Sequence, residues 1–435
     1  MPPHPAIAES YAVVLDDPSG AVSARVDRAQ DALADDDLLQ RFATITDGRA
    51  DQGRDHPVAV VLVLCAAAVL GGMRSVTAIA GWIADVPVAV LDLLYRRRAA
   101  TGQHAADNTG RPIASFPSKT TVWRVLTGAD PDAVNTAIGA WLFAHAAQAG
   151  NADQGADQGA DQGGHHDDAL VGVAVDGKAV RGAVTTDGEQ THLLAAATHG
   201  EQLVLGQVQV GVKTNEIPQF APLINGLAAV GVDPSTMIIT ADALHCQRGH
   251  ATYLHGLGAQ FCFPVKHNQP GVYDALNALP WTDTPIGHHH VDRGHGRVVT
   301  RTIQVLPAPE DLPFPHVNQV WLIERYTHDT TGTLTNAVAQ LGLTSLTADQ
   351  ADHARIATLV TEHWGIESLH WLRDTIYNED HSRVRTGNGP HVMAALRNLA
   401  VGVIHLLGRR DIAETTRWIT RRMHRAFDLL HLNLT

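Results

Sequence analysis

The sequence predicts an α/β protein: a mixed sheet with a β-rich insertion, preceded by an all-α unit. Three observations carry that expectation. Apolar residues recur at helical spacing from Pro57 to His145. After a Gly-rich break at 151–168 the period becomes that of strands, first three in succession and then strands alternating with helices. A second strand-rich stretch then intervenes before a long helical pattern near Asp349. At 435 residues and roughly 150 per domain, two or three domains fit, and 45% apolar content excludes wholesale disorder.

Residues 1–30 read as an extended leader, with a first helix over Ala32 to Phe42. The helical domain, 31–150, then holds the thirteen-residue apolar run Val58–Leu70, too short to cross a bilayer and so a buried core helix. Helices follow over Val76–Ile83, Val88–Tyr95, Thr120–Leu126 and Ala133–Ala146, separated by Gly, Pro and polar residues. Ser118 caps the third of these, whose Lys119 and Arg124 suit either a helix-turn-helix recognition helix or an ordinary bundle helix. Residues 151–170 repeat Ala-Asp-Gln-Gly, an acidic flexible linker. Strands are expected at Val171–Val175, His192–Ala197 and Leu203–Val212, where short turns favour an antiparallel meander. The helix Glu216–Ala229, strand Met237–Ala241, helix Gly249–Leu257, strand Phe261–Val265 and helix Val272–Leu279 complete an order β-β-β-α-β-α-β-α. That is the order of a ribonuclease-H-like domain, placed at 171–390. Strands at Val298–Leu306, Val317–Tyr326 and Ala337–Leu346 form its insertion, about 285–347, and 391–435 are C-terminal Arg-rich helices.

The net charge of −13 argues at first against a nucleic-acid partner. Its distribution weakens that objection: residues 1–170 carry 12 basic and 21 acidic side chains, whereas 373–435 carry 10 and 6. Three cysteines provide neither a disulfide framework nor paired zinc-ligand spacing, which fits a reducing cytoplasm. Neither a secretion signal nor a membrane span is expected.

Chemistry is expected at three carboxylates. Asp176 and Asp242 end apolar strands, and Glu367 lies in the long helix. An acid ending an apolar strand is costly unless neutralised, although any one such Asp could instead cap a turn. Hard oxygen donors suit Mg2+ or Mn2+, and two such ions about 4 Å apart serve phosphodiester chemistry.

The neighbouring blocks are more specific. Val175-Asp176-Gly177-Lys178 with Arg181-Gly182, Thr240-Ala241-Asp242-Ala243 with Cys246-Gln247, Val265-Lys266-His267-Asn268-Gln269-Pro270, His363-Trp364-Gly365-Ile366-Glu367 and Asn378-Glu379-Asp380 resemble the signature blocks of ISAs-type insertion-sequence transposases, within the DDE superfamily. The resemblance runs from about Leu38 to Leu407. It implies a ribonuclease-H-like catalytic domain preceded by a helical DNA-binding domain, and metal-dependent cutting and rejoining of DNA at terminal inverted repeats. It also implies Asp176, Asp242 and Glu367 as catalytic metal ligands, a homodimer on element-end and target DNA, and a bacterial cytoplasmic, nucleoid-associated protein. The sequence departs from the family pattern at His267, at Thr361-Glu362 and at Val299, none of them a metal ligand. Two alternatives stay open: a nuclease without strand transfer, and a decayed copy that only binds DNA.

Helical geometry places His363, Glu367, His370, Trp371 and Asp374 on one face. Trp364 and Trp371 suit either base stacking or core packing, and Asp374 either a spare acid or an ion-pair partner. DNA contacts are expected from Lys178, Arg181, Lys266, Asn268, Gln269, Arg297, His363, Trp364, His370, Trp371, Arg373, Arg383 and Arg385, with solvation as the competing role for the loop cations. Cys246 with His250 and His255, or His288–His290 with His295, have zinc-ligand residue types without the paired spacing.

Overall fold

The computed structural model describes residues 38–49, 55–100, 115–154, 170–184, 188, 190–211, 214–294 and 296–432. The leader, most of the linker and His295 lie outside them. Among the described residues six helices come first: α1 (Leu38–Ala43), α2 (Val58–Leu70), α3 (Val76–Ala84), α4 (Val88–Ala100), α5 (Lys119–Gly128) and α6 (Pro131–Gln154). All thirteen residues of α2 are buried, which explains a sequence with no polar side. Ser118 caps α5 by accepting the Thr121 N–H at 3.2 Å.

The strands β1 (Val171–Val184), β2 (Gln190–Thr198), β3 (Val204–Val210), β4 (Met237–Ala241) and β5 (Gln260–Val265) are joined by the helices α7 (Phe220–Val230) and α8 (Arg248–Gly256), and α9 (Pro270–Asn277) follows. β1, β2 and β3 are an antiparallel meander, and β4 and β5 add to β1 in parallel. The second β-rich stretch supplies β6 (His288–Gly294), β7 (Arg297–Pro307), β8 (Gln319–Asp329) and β9 (Leu334–Thr344). β9 pairs antiparallel with β5, giving one nine-stranded mixed sheet in the order β3-β2-β1-β4-β5-β9-β8-β7-β6. The helices α10 (His353–Glu362), α11 (Gly365–Thr375), α12 (Gly389–Leu406), α13 (Ile412–Thr420) and α14 (His424–Leu429) close the chain.

Three expectations are corrected. β1 runs nine residues past Val175, so Asp176 lies inside the strand; Gly177 and Lys178 remain paired with Leu194 and Leu193 of β2. The insertion has a fourth strand, β6, built from the polar His288–His290 tract that carries no apolar alternation. The single long helix is two, α10 and α11, which meet at His363-Trp364.

Successive strand residues face opposite sides. Ala174, Ala195, Ala197 and Val204 join the core formed by the helical region together with α11 and α12, whereas Val173, Val175, Leu194 and Leu205 face the core under α7 and α8. α12 packs on α6, α2 and α5 as well as on β3, and α14 reaches α2 and α3, Phe427 lying 5.6 Å from Trp82 between ring centres. The last helices therefore share one core with the first.

Candidate active site

Strand register brings two of the acids together. In the parallel pair, Ala174 is opposite Thr240 and Val175 opposite Ala241, the last registered pair. Asp176 and Asp242 are the next residues on each chain, and alternation turns both toward the α11 side. There β4 ends while β1 continues, leaving an opening at the carboxyl end of a parallel strand pair, where open sheets place their ligands. Asp242 turns the chain, accepting the Leu244 N–H at 2.9 Å.

Glu367 arrives in the first turn of α11, and His370 on the same face has Nδ1 3.4 Å from Asp176 Oδ2. Burial pushes the Glu367 carboxyl up and the charge of Asp176 adds to it. Asp242 is also raised, by desolvation first, with Asp176 and Glu216 contributing and His245 opposing. Asp176 thus presses on both partners, a cluster of like charge that a divalent cation would relieve. The donor set, carboxylate oxygen throughout, fits Mg2+ or Mn2+. Among the described residues no three His, Cys, Asp or Glu side chains converge closely enough to hold an ion by themselves.

The corner between α10 and α11 aims Glu367. His363 Nδ1 lies 3.1 Å from the Thr240 hydroxyl, which His199 Nε2 contacts at 2.9 Å. Burial presses the His363 imidazole down to about 4, against the opposing pull of Asp176. His363 and His370 are therefore turned into the protein, one on β4 and one on Asp176, rather than toward a DNA backbone.

The expected DNA contacts divide. Lys178 Nζ is 2.6 Å from Asp374 Oδ2, which makes Asp374 an ion-pair partner and ties β1 to α11. Arg373 is fully buried, Nη2 2.7 Å from Glu379 Oε2, and cannot reach phosphate. Asn268 Nδ2 donates to Ala243 O at 2.5 Å and Gln269 Nε2 to Gln247 Oε1 at 3.3 Å, so both amides brace the turn after Asp242. Trp371 packs on the helical core, while Trp364 is 45% exposed. Arg385 is exposed, with Nε donating to Gly182 O at 2.9 Å; Arg181, Lys266 and Arg383 are also exposed. The set of Cys246, His250 and His255 does not assemble: Cys246 is buried with its thiol pushed up to about 12, and His255 stacks on His316 at 3.8 Å; His295 of the other set lies outside the described residues.

Sequence reasoning missed Glu216, His192 and His245, which meet beside the site. Glu216 opens a helical segment, where an acid is commonplace, so its position carried no signal. Also missed was a groove of about 1170 Å3 between the insertion strands and the α10–α11 corner, lined by Lys266, Arg297, Arg301, Arg325 and Trp364. Arg301 and Arg325 stand directly opposite each other on β7 and β8, an unfavourable like-charge pair. Asp292 offsets Arg301, while the Nε atoms of Arg297 and Arg325 are buried without a partner.

Residues 168–402, more than half the chain, match the family model described as Transposase DDE domain, and residues 39–142 match one described as DDE_Tnp_1-associated. The “H repeat-associated putative transposase YhhI” of Escherichia coli strain K12 is 24% identical over 84% of this chain and 90% of its own. “Putative protein YbfL” of the same strain is 27% identical over 53% of this chain and 63% of its own. A cryo-EM structure of a piggyBac transposase synaptic complex with hairpin DNA aligns at 11% identity and a TM-score of 0.35, over 95% of this chain and 79% of that one.

Proposed function

The chain belongs to the Transposase DDE domain family, and from that premise we propose that it cleaves DNA at the inverted-repeat ends of an insertion sequence and joins the freed ends to target DNA. The observation that carries this reading is the register that sets Asp176 beside Asp242, with Glu367 on α11 close enough to feel the Asp176 charge. The strand order β3-β2-β1-β4-β5, antiparallel then parallel, supports a ribonuclease-H-like core for residues 171–390. Asp176, Asp242 and Glu367 would hold Mg2+, with Mn2+ as a substitute. When bound, such ions supply Lewis-acid charge at the scissile phosphate and favour deprotonation of the attacking hydroxyl. The three carboxylates would hold those ions, Lys178 holds α11 to β1 through Asp374, and Asn268 fixes the Asp242 turn. Water is the first nucleophile and the exposed 3′-hydroxyl the second.

The proposed DNA path follows two surfaces. Helix α5 buries Val122, Val125 and Leu126 and exposes Lys119, Trp123 and Arg124, which favours the recognition-helix role. The groove beside Trp364 offers Lys266, Arg297, Arg301 and Arg325 to phosphates, with Arg181, Arg383 and Arg385 as further exposed cations. Two copies are proposed to pair the two element ends on the bacterial nucleoid. In a titration of element-end duplex against salt, the paired substitution of Arg301 and Arg325 by Ala should flatten the slope of log K against log salt by about 1.8, roughly 0.9 per phosphate released. An unchanged slope removes the groove from the DNA path.

The activity test uses the full chain, an oligonucleotide duplex bearing the element end, and a supercoiled target. Cleavage in Mg2+ followed by covalently joined products is the expected result. Cleavage without joining marks a nuclease, and binding without turnover in Mg2+ or Mn2+ marks a DNA-binding protein alone.

A further inference from the structure

A fourth acid stands behind the three carboxylates. Glu216 is only 14% exposed and lies between two imidazoles: Oε1 is 2.8 Å from His192 Nε2, and Oε2 is hydrogen-bonded to His245 Nε2 at 3.1 Å. Burial alone would push this carboxyl up, and the two histidines more than reverse that, holding it at about 2. His192 comes from β2, where it is opposite Ala179 of β1. His245 is 0% exposed and ends the turn that Asp242 opens.

The carboxylate reaches β1 because residue 177 is glycine. A Cβ at that position would fall 1.9 Å from Glu216 Oε1 and 2.6 Å from His192 Nε2. The strand position directly after Asp176 thus has no side chain, and an acid from a remote loop fills the space. By alternation Gly177 faces the side opposite Asp176, so Glu216 supports the site from behind the sheet. Its charge also adds to the upward pressure on Asp242. An apolar side chain would fill the same space without burying an ionised group, so packing alone does not account for an acid here.

We propose that Glu216 is a positioning residue for the carboxylate centre: seated in the Gly177 gap and hydrogen-bonded to His245, it fixes the Asp242–His245 turn against β1 and so sets how Asp176 and Asp242 share a divalent cation. The inference rests on the proposed role of Asp176, Asp242 and Glu367 and extends it to a residue on the other face of the sheet. Residues that orient ligands in this way change metal affinity or activity by roughly 10–100-fold when removed.

The test measures Mn2+ binding to the full-length protein without DNA, by electron paramagnetic resonance and calorimetry, with thermal melts as the folding control. Glu216→Ala should weaken Mn2+ binding by about 10–100-fold, and Glu216→Gln, which keeps an acceptor for His245, should recover most of it. Gly177→Ala should show the same loss, and the double variant should be no worse than either single one, because both remove one contact. Where Glu216→Ala loses its cooperative melt, the Glu216→Gln and Gly177→Ala proteins decide the question. Wild-type Mn2+ binding by these variants, or additive losses in the double variant, overturns the inference. Asp176→Asn separates the two levels: Mn2+ binding that survives it overturns the underlying site, whereas loss there with full binding in the Glu216 variants overturns the role of Glu216 alone.

Discussion

Asp176→Asn is expected to lower the rate of element-end cleavage by about a thousandfold or more, equivalent to about 4 kcal/mol of transition-state stabilisation. Asparagine keeps the shape and one acceptor oxygen but loses the charge, and the position is central: the Asp176 charge raises the carboxyls of both Asp242 and Glu367. The same substitution should therefore let both carboxyls ionise at lower pH than in the parent, a shift that carboxyl-carbon NMR would read in cation-free protein. The variant should still fold, since it removes the repulsion of Asp242 and Glu367 while its amide oxygen can still face His370. Asp242→Asn and Glu367→Gln should match it in activity. A folded Asp176→Asn protein that cleaves at the parental rate would remove the carboxylates from the mechanism.

The largest loss of stability is expected from Glu379→Ala. Glu379 is fully buried; Oε2 is 2.7 Å from Arg373 Nη2 and Oε1 is 2.8 Å from Arg397 Nη1. Arg373 also donates to Asn398 Oδ1 at 3.2 Å, and Asn398 to Gln207 at 3.1 Å, so the network ties α11 to α12 and β3. Truncating the acid leaves two buried guanidinium groups without their counter-charge, a cost of about 3–5 kcal/mol. Burial pushes the Glu379 carboxyl up, and Arg373 and Arg397 more than reverse this, holding it at about 2. The sign follows from a depressed acid: its contribution is complete above the ordinary carboxyl value of 4.5 and is lost as pH falls toward 2. Denaturant midpoints of parent and Glu379→Gln protein should thus differ most at neutral pH and converge between those values. Equal midpoints at pH 7 would show that the network carries no net stability.

The order of elements was legible because buried strands and helices write their period into the chain. Met237–Ala241 is the clearest case, five buried residues whose apolar run ends at an acid. Where the signal failed, a second influence acted on the same residues. Gly177 and Lys178 look like the end of a strand, yet pairing with β2 carries β1 on to Val184. The Asp349 pattern reads as one helix because the anchor that bends it, Thr240 under His363, is 123 residues away. At the site, acid types and neighbouring motifs pointed to the three carboxylates proposed as ligands, but the surroundings of the cations depended on partners distant in sequence. Arg373 and Arg385 look alike as sequence; one is sealed against Glu379 and the other lies open. Glu216 had no local mark at all, because what makes it informative is the missing side chain at Gly177 on another strand.

Helix α12, buried from Gly389 through His405, has a consequence for synthesis. It packs on α2, α5 and α6 from the start of the chain and on β3 from the sheet. During translation the early helices emerge long before the segment that completes their core, and the sheet face bearing Ala174 and Ala195 waits for the same segment. A ribosome that stops short of α12 releases a polypeptide lacking the cover for both. The helical region and the sheet thus complete their shared core together and late, so that truncated products should be cleared by proteolysis.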